Sequence, residues 1–412
     1  MLKLFKIAIR NLLRYKRRTL LTSSLIAVGV MFVLVFAAAS GSFKYIMISQ
    51  ITDSMLGHLQ VHKRGYVASI DSLPLTLNLN AKQKEKLEKA IKEITEIEAF
   101  SPRIKFGGMF SNFMETTNIR VNGVYPDKEI ATVPLFQSRI KQGEKTIKKG
   151  EILIPELLAN GLKVKVGDTV VVIATNRDGS VNGKQFVVGG IIESVTGPGG
   201  RDGYMHIVDA MEVLRMEEIE ISEVAVRLKD FGKLNAVNDK MDKLLSKELN
   251  KQGKPIFDVR TWERLSPFYN VARMIDIMTF FIKIMLIAIV LISIMNVMIM
   301  AVFERVREIG TIAALGTIPA KILSLFLIEG FSLGISGAAA GNILAIIIVF
   351  VMNVVKITFN FGRQTGLVLS PSLKVDDMIF ISAIAIIASV IAALQPALKA
   401  SRMEPVEALR HV

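Results

Sequence analysis

Four long stretches carry almost no charge, and no other feature limits so severely what this chain can fold into. Leu20 to Ser40 (LLTSSLIAVGVMFVLVFAAAS) and Met378 to Leu394 hold no charged residue, Phe280 to Phe303 holds only Lys283 near its start, and Ile322 to Met352 holds only Glu329. A bilayer core about 30 Å thick is crossed by roughly 20 apolar residues in a helix. Each run is long enough, and four buried core helices of that character in one soluble protein would be anomalous. The first run exceeds the apolar part of a signal peptide and ends without a clear small-residue cleavage pattern, so it reads as an uncleaved anchor. The expected fold is therefore an α-helical membrane protein with four transmembrane helices, at 19–40, 274–303, 322–352 and 378–397.

Basic residues flanking the spans set their orientation. The first eighteen residues contain Lys3, Lys6, Arg10, Arg14, Lys16, Arg17 and Arg18 and no acid, which accounts for half of the net charge of +14. This end is expected to stay in the cytoplasm. Both termini then lie inside, 41–273 and the loop 353–377 lie outside, and 304–321 and the tail 398–412 lie inside. The outer loop carries Lys356, Arg363 and Lys374, so the N-terminus decides the assignment. Spacings of three and four between Lys3, Lys6, Arg10 and Arg14, among apolar Leu2, Phe5, Ile9, Leu12 and Leu13, suit an amphipathic segment 1–18 lying on anionic headgroups. Membrane lipid, not nucleic acid, is the partner this charge implies.

The segment 41–273 has the composition of a soluble α+β domain inserted between the first two spans. An alternating run LQVH (Leu59 to His62) leads to a helix from Lys82 to about Glu98, capped near Asn80, with Leu87, Ile91 and Ile94 on one face; IKF and NIRVNGV (Asn118 to Val124) follow as strands. A second unit repeats that order with EVAVRL (Glu223 to Leu228), a helix from Leu234 to Leu249, and IFDV (Ile256 to Val259). Between them, about 140–200, lies a β-rich insert whose strands TVVVIA and QFVVGGII flank a polar hairpin tip formed by Asn176, Arg177, Asp178, Gly179, Ser180, Val181, Asn182, Gly183 and Lys184. Two subdomains are expected, one α+β and one mostly β.

The chemical motifs argue against an enzyme. The chain contains no cysteine, hence no disulfide, thiolate metal site or cysteine nucleophile, and no G-x-x-x-x-G-K-[ST] phosphate cradle. GFSLG (Gly330 to Gly334) matches a nucleophile elbow only by letters, because it lies inside an apolar helix. Its glycines, with Gly337 and Gly341, read instead as small-xxx-small pairs that admit a neighbouring helix or a second subunit. His58 and His62, four apart on a strand, fall roughly 13 Å apart at about 3.3 Å per residue, too far to share a metal. Lys283 is placed to snorkel, whereas Glu329 either reaches the interface or bonds a neighbouring helix.

At three cytoplasmic segments the sequence resembles a known family. RNLLRYKRRTLLT before the first span, ERVREIGTIAALG after the second and PALKASRMEPVEALR near the end are similar to signatures of bacterial ABC-transporter permeases of the FtsX, MacB and LolC/LolE superfamily. GHLQVHKRGY, LKVKVGDTVVVIA and DVRTW extend the likeness through the outer domain and lean toward the lipoprotein-releasing LolC/LolE branch. The resemblance implies a subunit of the bacterial inner membrane that pairs with an identical or paralogous permease and with a cytoplasmic dimer of ABC ATPases. It binds no cofactor directly, since ATP and magnesium reside on the ATPase, and it works by mechanotransmission. Glu304, Arg305, Arg307, Glu308, Gly310, Ala314, Leu315 and Gly316 would form the coupling segment. The cargo would be a lipoprotein, and the 176–184 hairpin would correspond to a hook for a periplasmic chaperone. A MacB-like exporter would carry a fused ATPase domain, and an FtsX-like wall-hydrolase regulator a smaller outer domain.

Overall fold

The computed structural model describes residues 2–194, 198–361 and 364–402. The chain divides into two compact units: Met1–Ile46 with Arg273–Phe359 and Gly366–Val412, and Met47–Ala272 with Asn360–Thr365. Helix α1 (Leu2–Arg14) breaks at Tyr15 and continues as α2 (Lys16–Ile51). Backbone hydrogen bonds still run through the break, from Tyr15 N to Asn11 O at 3.2 Å and from Thr19 N to Tyr15 O at 3.0 Å.

The outer unit follows in chain order. β1 (Leu59–Lys63), α3 (Ala81–Lys92), β2 (Ile97–Ser111), β3 (Thr116–Val124) and α4 (Pro126–Thr132) form its first part. Next come β4 (Ile140–Gly143), β5 (Glu151–Pro155), α5 (Glu156–Leu162), β6 (Thr169–Thr175), β7 (Val181–Ile192), β8 (Asp202–His206) and α6 (Ile207–Val213). β9 (Glu223–Leu228), α7 (Leu234–Leu245), β10 (Phe257–Thr261) and α8 (Trp262–Leu265) complete it. Asn80 and Gln83 close a reciprocal capping box that starts α3, and its apolar face buries Leu87 and Ile91. In α7 the same spacing buries Val237, Met241 and Leu245.

All ten of these strands belong to one sheet, so the expected α+β and β-rich subdomains share a single hydrogen-bonded framework. The reason is β2. Its first half pairs with β9, and its far end pairs with both β3 and β6. Gly108 permits that second pairing, because a side chain there would meet the Ile173 carbonyl at 2.6 Å. Pairings of β2, β3, β8, β5, β7 and β6 run in a closed circuit. The other wing has the order β10-β1-β9, so the two sequence units interleave, with β1 between the strands of the second.

The chain then forms α9 (Phe268–Glu304), α10 (Val306–Ala314), α11 (Pro319–Val355), the strands β11 (Thr358–Phe361) and β12 (Gln364–Val368), and α12 (Val375–Ser401). Among the described residues four helices, which include α2, α9, α11 and α12, are long and apolar enough to cross a membrane. Each extends past its apolar run, because helical hydrogen bonding continues into flanking polar sequence. The segment 304–321 contains helix α10, and 353–377 contains the β11–β12 pair. The tail from 403 onward lies outside the described residues, while Pro396 falls within α12.

The glycines of α11 serve two different neighbours in the same chain. A side chain at Gly330 would meet Ala393 of α12 at 2.7 Å, and one at Gly341 would meet the Ala27 carbonyl of α2 at 2.7 Å. Gly334 likewise faces Ser389 of α12 and Gly337 faces Ile26 of α2, so these pairs bring together helices of one subunit.

Candidate functional site

The links α1–α2 and α9–α10–α11 meet in a polar cluster. Arg305 interrupts the helical path between α9 and α10 with φ −112° and ψ 16°. Its side chain points inward: Nη1 donates to Glu329 Oε1 at 3.0 Å and Nε donates to Glu308 Oε2 at 3.1 Å. Asn11 Nδ2 donates to the same Glu329 oxygen at 3.0 Å, and Tyr15 Oη donates to Glu308 Oε1 at 3.1 Å. The rings of Tyr15 and Phe326 lie 5.4 and 5.9 Å from the guanidinium. Asn11, Tyr15 and Arg18 recur at helical spacing, which puts all three on one side of the N-terminal rod. Arg18 reaches Glu304 at 3.7 Å and lies over the Tyr15 ring at 5.2 Å.

This arrangement accounts for a carboxylate inside an apolar helix. Glu329 is 1% exposed, and a buried charge is tolerated only when paired and hydrogen-bonded. Of the two roles open to it from sequence, it takes the bonded one. Burial works against the charge on Arg305, but Glu329 and Glu308 overcome that penalty and strengthen its hold on the proton. Burial also resists ionisation of Glu308, yet hydrogen bonds from Arg305 and Tyr15 bring its carboxyl below the ordinary carboxylate range.

The remaining residues of the expected coupling segment divide by face. Arg305 and Gly310 are buried, so Arg305 braces the segment from inside instead of offering itself to a partner. Glu304, Arg307, Ala314, Leu315 and Gly316 are exposed, and Leu315 is 82% exposed. Gly316 adopts φ +86° and closes α10 in a Schellman arrangement, with Gly316 N donating to Ala313 O at 2.9 Å and Thr317 N to Ile312 O at 3.3 Å. Pro319 starts α11 immediately afterwards. Beside α10 lies a cavity of about 260 Å³ lined by Ile7, Arg305, Ile309, Ile312, Lys321 and Phe326 among others. The result is a short, stiffly ended helix with an apolar tip, joined by a buried ion pair to α11 and by a part-buried hydrogen bond to Tyr15 at the break between α1 and α2.

Among the other basic residues, Lys6, Arg10, Arg14 and Arg17 are exposed, as a headgroup-facing set requires, while the side chain of Lys3 lies outside the described residues. Arg18 departs from that set through its contact with Glu304, and Arg14 also reaches Glu308 at 3.8 Å.

The 176–184 hairpin is shorter than its polar sequence suggests. Only Asn176, Arg177, Asp178, Gly179 and Ser180 form the tip, because Val181, Asn182, Gly183 and Lys184 pair along β6 opposite Thr175, Ala174, Ile173 and Val172. Asn176 is buried and donates to Ser180 Oγ at 3.0 Å, while Arg177 pairs with Glu220 at 2.7 Å. Lys184 Nζ donates to Asp209 at 2.8 Å and also bonds Glu212, and Asn182 donates to the Val213 carbonyl at 3.0 Å. Half of the expected hook is therefore strapped to α6.

A second ionic cluster, which the sequence reading missed, lies within the outer sheet. Arg103 donates from Nη2 and Nε to the two oxygens of Glu129 at 2.7 and 3.0 Å, and from Nη1 to Glu223 at 3.0 Å. Lys105 stands 3.5 Å from Glu223. In register with Glu223 is His62, which stacks on Tyr66 with ring centroids 5.2 Å apart and bonds Gln60 at 3.1 Å. Burial penalises the charge on Glu223, but Lys105, Arg103 and His62 bring its pKa down to about 2. The available signal was that LQVH, SPRIKF and EVAVRL, the strands that carry the core, each interrupt an apolar run with a charged or polar residue. His58 serves the fold too: its Nδ1 accepts from Leu228 N at 3.0 Å, and its Nε2 faces Asp53 at 3.3 Å.

Comparison with known proteins follows the same two-part division. Residues 19–244 match the MacB-like periplasmic core domain and residues 280–405 the FtsX-like permease C-terminal region. The lipoprotein-releasing system transmembrane protein LolC of Xylella fastidiosa (strain 9a5c) is 26% identical over 316 residues, which cover 71% of this chain and 72% of that protein. LolE of Haemophilus influenzae, of the same system, is 22% identical over 357 residues, covering 83% and 84%. The macrolide export ATP-binding/permease protein MacB of Nitrosomonas europaea is 38% identical over 120 residues, 29% of this chain and 16% of that protein.

Proposed function

Because the chain belongs to the FtsX/MacB/LolC–LolE superfamily of ABC-transporter permeases, we propose that it is the permease half of an ATP-driven machine that extracts lipoproteins from the inner membrane. The observation that carries this reading is the extent of the LolC and LolE likeness, 71 to 83% of this chain, against 29 to 56% for MacB exporters. In this reading both termini face the cytoplasm. A separate ATPase dimer supplies hydrolysis and holds ATP and magnesium, and a second permease subunit, identical or paralogous, completes the complex.

Arg307, exposed on α10, and Leu315, exposed at its C-terminal end, dock into the ATPase, together with Glu304, Ala314 and Gly316. Arg305 and Glu329 act behind them. They make α10 move as one body with α11 and the N-terminal helix, so closure of the ATPases displaces spans and not merely a loop. The work is needed because drawing acyl chains from a bilayer costs about 0.8 kcal/mol per CH₂. The tip Asn176–Ser180 is the surface offered to a periplasmic chaperone.

Two measurements test this reading. Leu315→Glu is expected to reduce copurification of the ATPase while leaving the permease folded; unchanged association and transport would remove the coupling role. Depletion of the protein is expected to strand outer-membrane lipoproteins in the inner membrane. Normal sorting together with increased sensitivity to exported compounds would point to efflux.

A further inference from the structure

Between α2 and α11 the membrane unit leaves an apolar groove of about 540 Å³. It exists because Gly337 and Gly341 bring the two helices close, while Ser23 and Ala27 on one side and Ser336 and Ala340 on the other have little side chain to fill the flank. Leu20, Val28 and Leu344 supply its walls. The serine hydroxyls do not make it polar, since Ser23 Oγ and Ser336 Oγ lie 3.2 Å apart and satisfy each other. Toward one end the lining includes Lys16, which is exposed next to exposed Arg17, with Leu12 and Leu13 one turn beyond it.

We infer that this groove holds one acyl chain of an anionic phospholipid, with the headgroup phosphate on Lys16. Length, charge and packing agree on that occupant. From Lys16 to Val28 is twelve residues, roughly 18 Å along a helix at about 1.5 Å per residue, and one leaflet of a core about 30 Å thick measures about 15 Å. This stretch therefore spans a single leaflet, the one that the N-terminal helix faces, and Lys16 falls at headgroup level with Leu12 and Leu13 beyond it. Seven basic residues and no acid among the first eighteen bias that level toward an anionic headgroup. A second copy of this chain is a poorer occupant. The bilayer fixes the depth of each span, so a copy seated here would bring its own Lys16 and Arg17 to the same level, cation against cation.

The assignment stands independently of what the machine carries. It is a resident lipid site on the side of the N-terminus, beside the contact that Gly337 and Gly341 of α11 make with α2.

The test uses the full chain reconstituted in bilayers of phosphatidylethanolamine with or without phosphatidylglycerol, then extracted and examined by native mass spectrometry. The wild type is expected to retain phosphatidylglycerol in preference to phosphatidylethanolamine. Lys16→Gln, on an exposed residue that leaves the fold intact, is expected to lower that preference about fivefold, the size of one lysine–headgroup attraction. Ala340→Phe fills the groove and is expected to abolish retention of either lipid. Equal retention of the two lipids by the wild type would overturn the proposal, as would undiminished phosphatidylglycerol in both variants. So would an Ala340→Phe protein that keeps its lipid but loses self-association, since the groove would then belong to a second copy.

Discussion

Arg103 in the outer domain and Arg305 in the membrane unit each hold two glutamates, but the segments that present the three side chains differ in how firmly they are fixed. Arg103, Glu129 and Glu223 come from β2, α4 and β9, and none of their side chains is more than 3% exposed. Arg305 comes from a break between helices, and its partners are unequal: the Glu329 side chain is 1% exposed and that of Glu308 is 40%. A charge enclosed on all sides by a sheet cannot change partners without unfolding something. A charge at a helix break, with one buried carboxylate and one half in water, can keep the first bond while it adjusts the second. The same chemistry serves as a lock in one place and as a joint in the other.

The largest test of that contrast is Arg103→Met. Removing the guanidinium leaves Glu129 buried without its counter-charge and Glu223 dependent on Lys105 at 3.5 Å, at an expected cost of about 3–5 kcal/mol. Urea unfolding of the full chain, followed through the outer domain, measures it; a loss below about 1 kcal/mol would show that water reaches the cluster and that it locks nothing. Arg305→Met should cost less, about 1.5–3 kcal/mol, because Glu308 is partly solvated and Glu329 keeps its bond from Asn11. Under the proposed coupling to an ATPase, its expected signature is loss of stimulated ATP hydrolysis with the outer domain's unfolding midpoint unchanged. A fall in that midpoint equal to the Arg103 variant's would erase the distinction between the two regions.

The smallest effect is one of pH. Burial depresses the His62 imidazole below its ordinary value near 6.5, and the charges on Glu223, Lys105 and Asp258 bear on it. The unfolded chain therefore takes up this proton before the folded one. Stability from this group is complete above about pH 6.5 and declines as pH falls below it, by at most about 1.4 kcal/mol per unit. His62→Gln is expected to flatten that slope in the outer domain. Among the described residues the membrane-side cluster contains no histidine, and its Glu308 carboxyl, held below the ordinary range, loses its contribution only in stronger acid. If the slope survives in His62→Gln, another group sets it.

Legibility in the sequence followed the range of the interaction. The four spans were readable because twenty apolar residues in a row are a local signal. Glu329 could be marked as anomalous but not assigned a partner, since Asn11 lies 318 residues away and shares no pattern with it. The outer cluster was harder still. Glu223, Arg103 and His62 each look like the solvent-facing member of an alternating strand, and only the pairings of β1 with β9 and β9 with β2 reveal that this face is covered. At the hairpin the error was one of composition, because VNGK reads as turn sequence yet pairs residue by residue along β6.

The placement of β1 between β9 and β10 has a bearing on how the protein is made. Leu59 pairs with Thr261, a separation of 202 residues. At a synthesis rate of about 5–20 residues per second, roughly 10–40 s pass between the emergence of the first strand and that of its last partner. Through that interval β1 presents open edges, and the second membrane-crossing helix has not yet been synthesised. The outer sheet is thus sealed only as α9 is being delivered to the membrane, which makes translocation of residues through Thr261 the step that commits the chain to its fold.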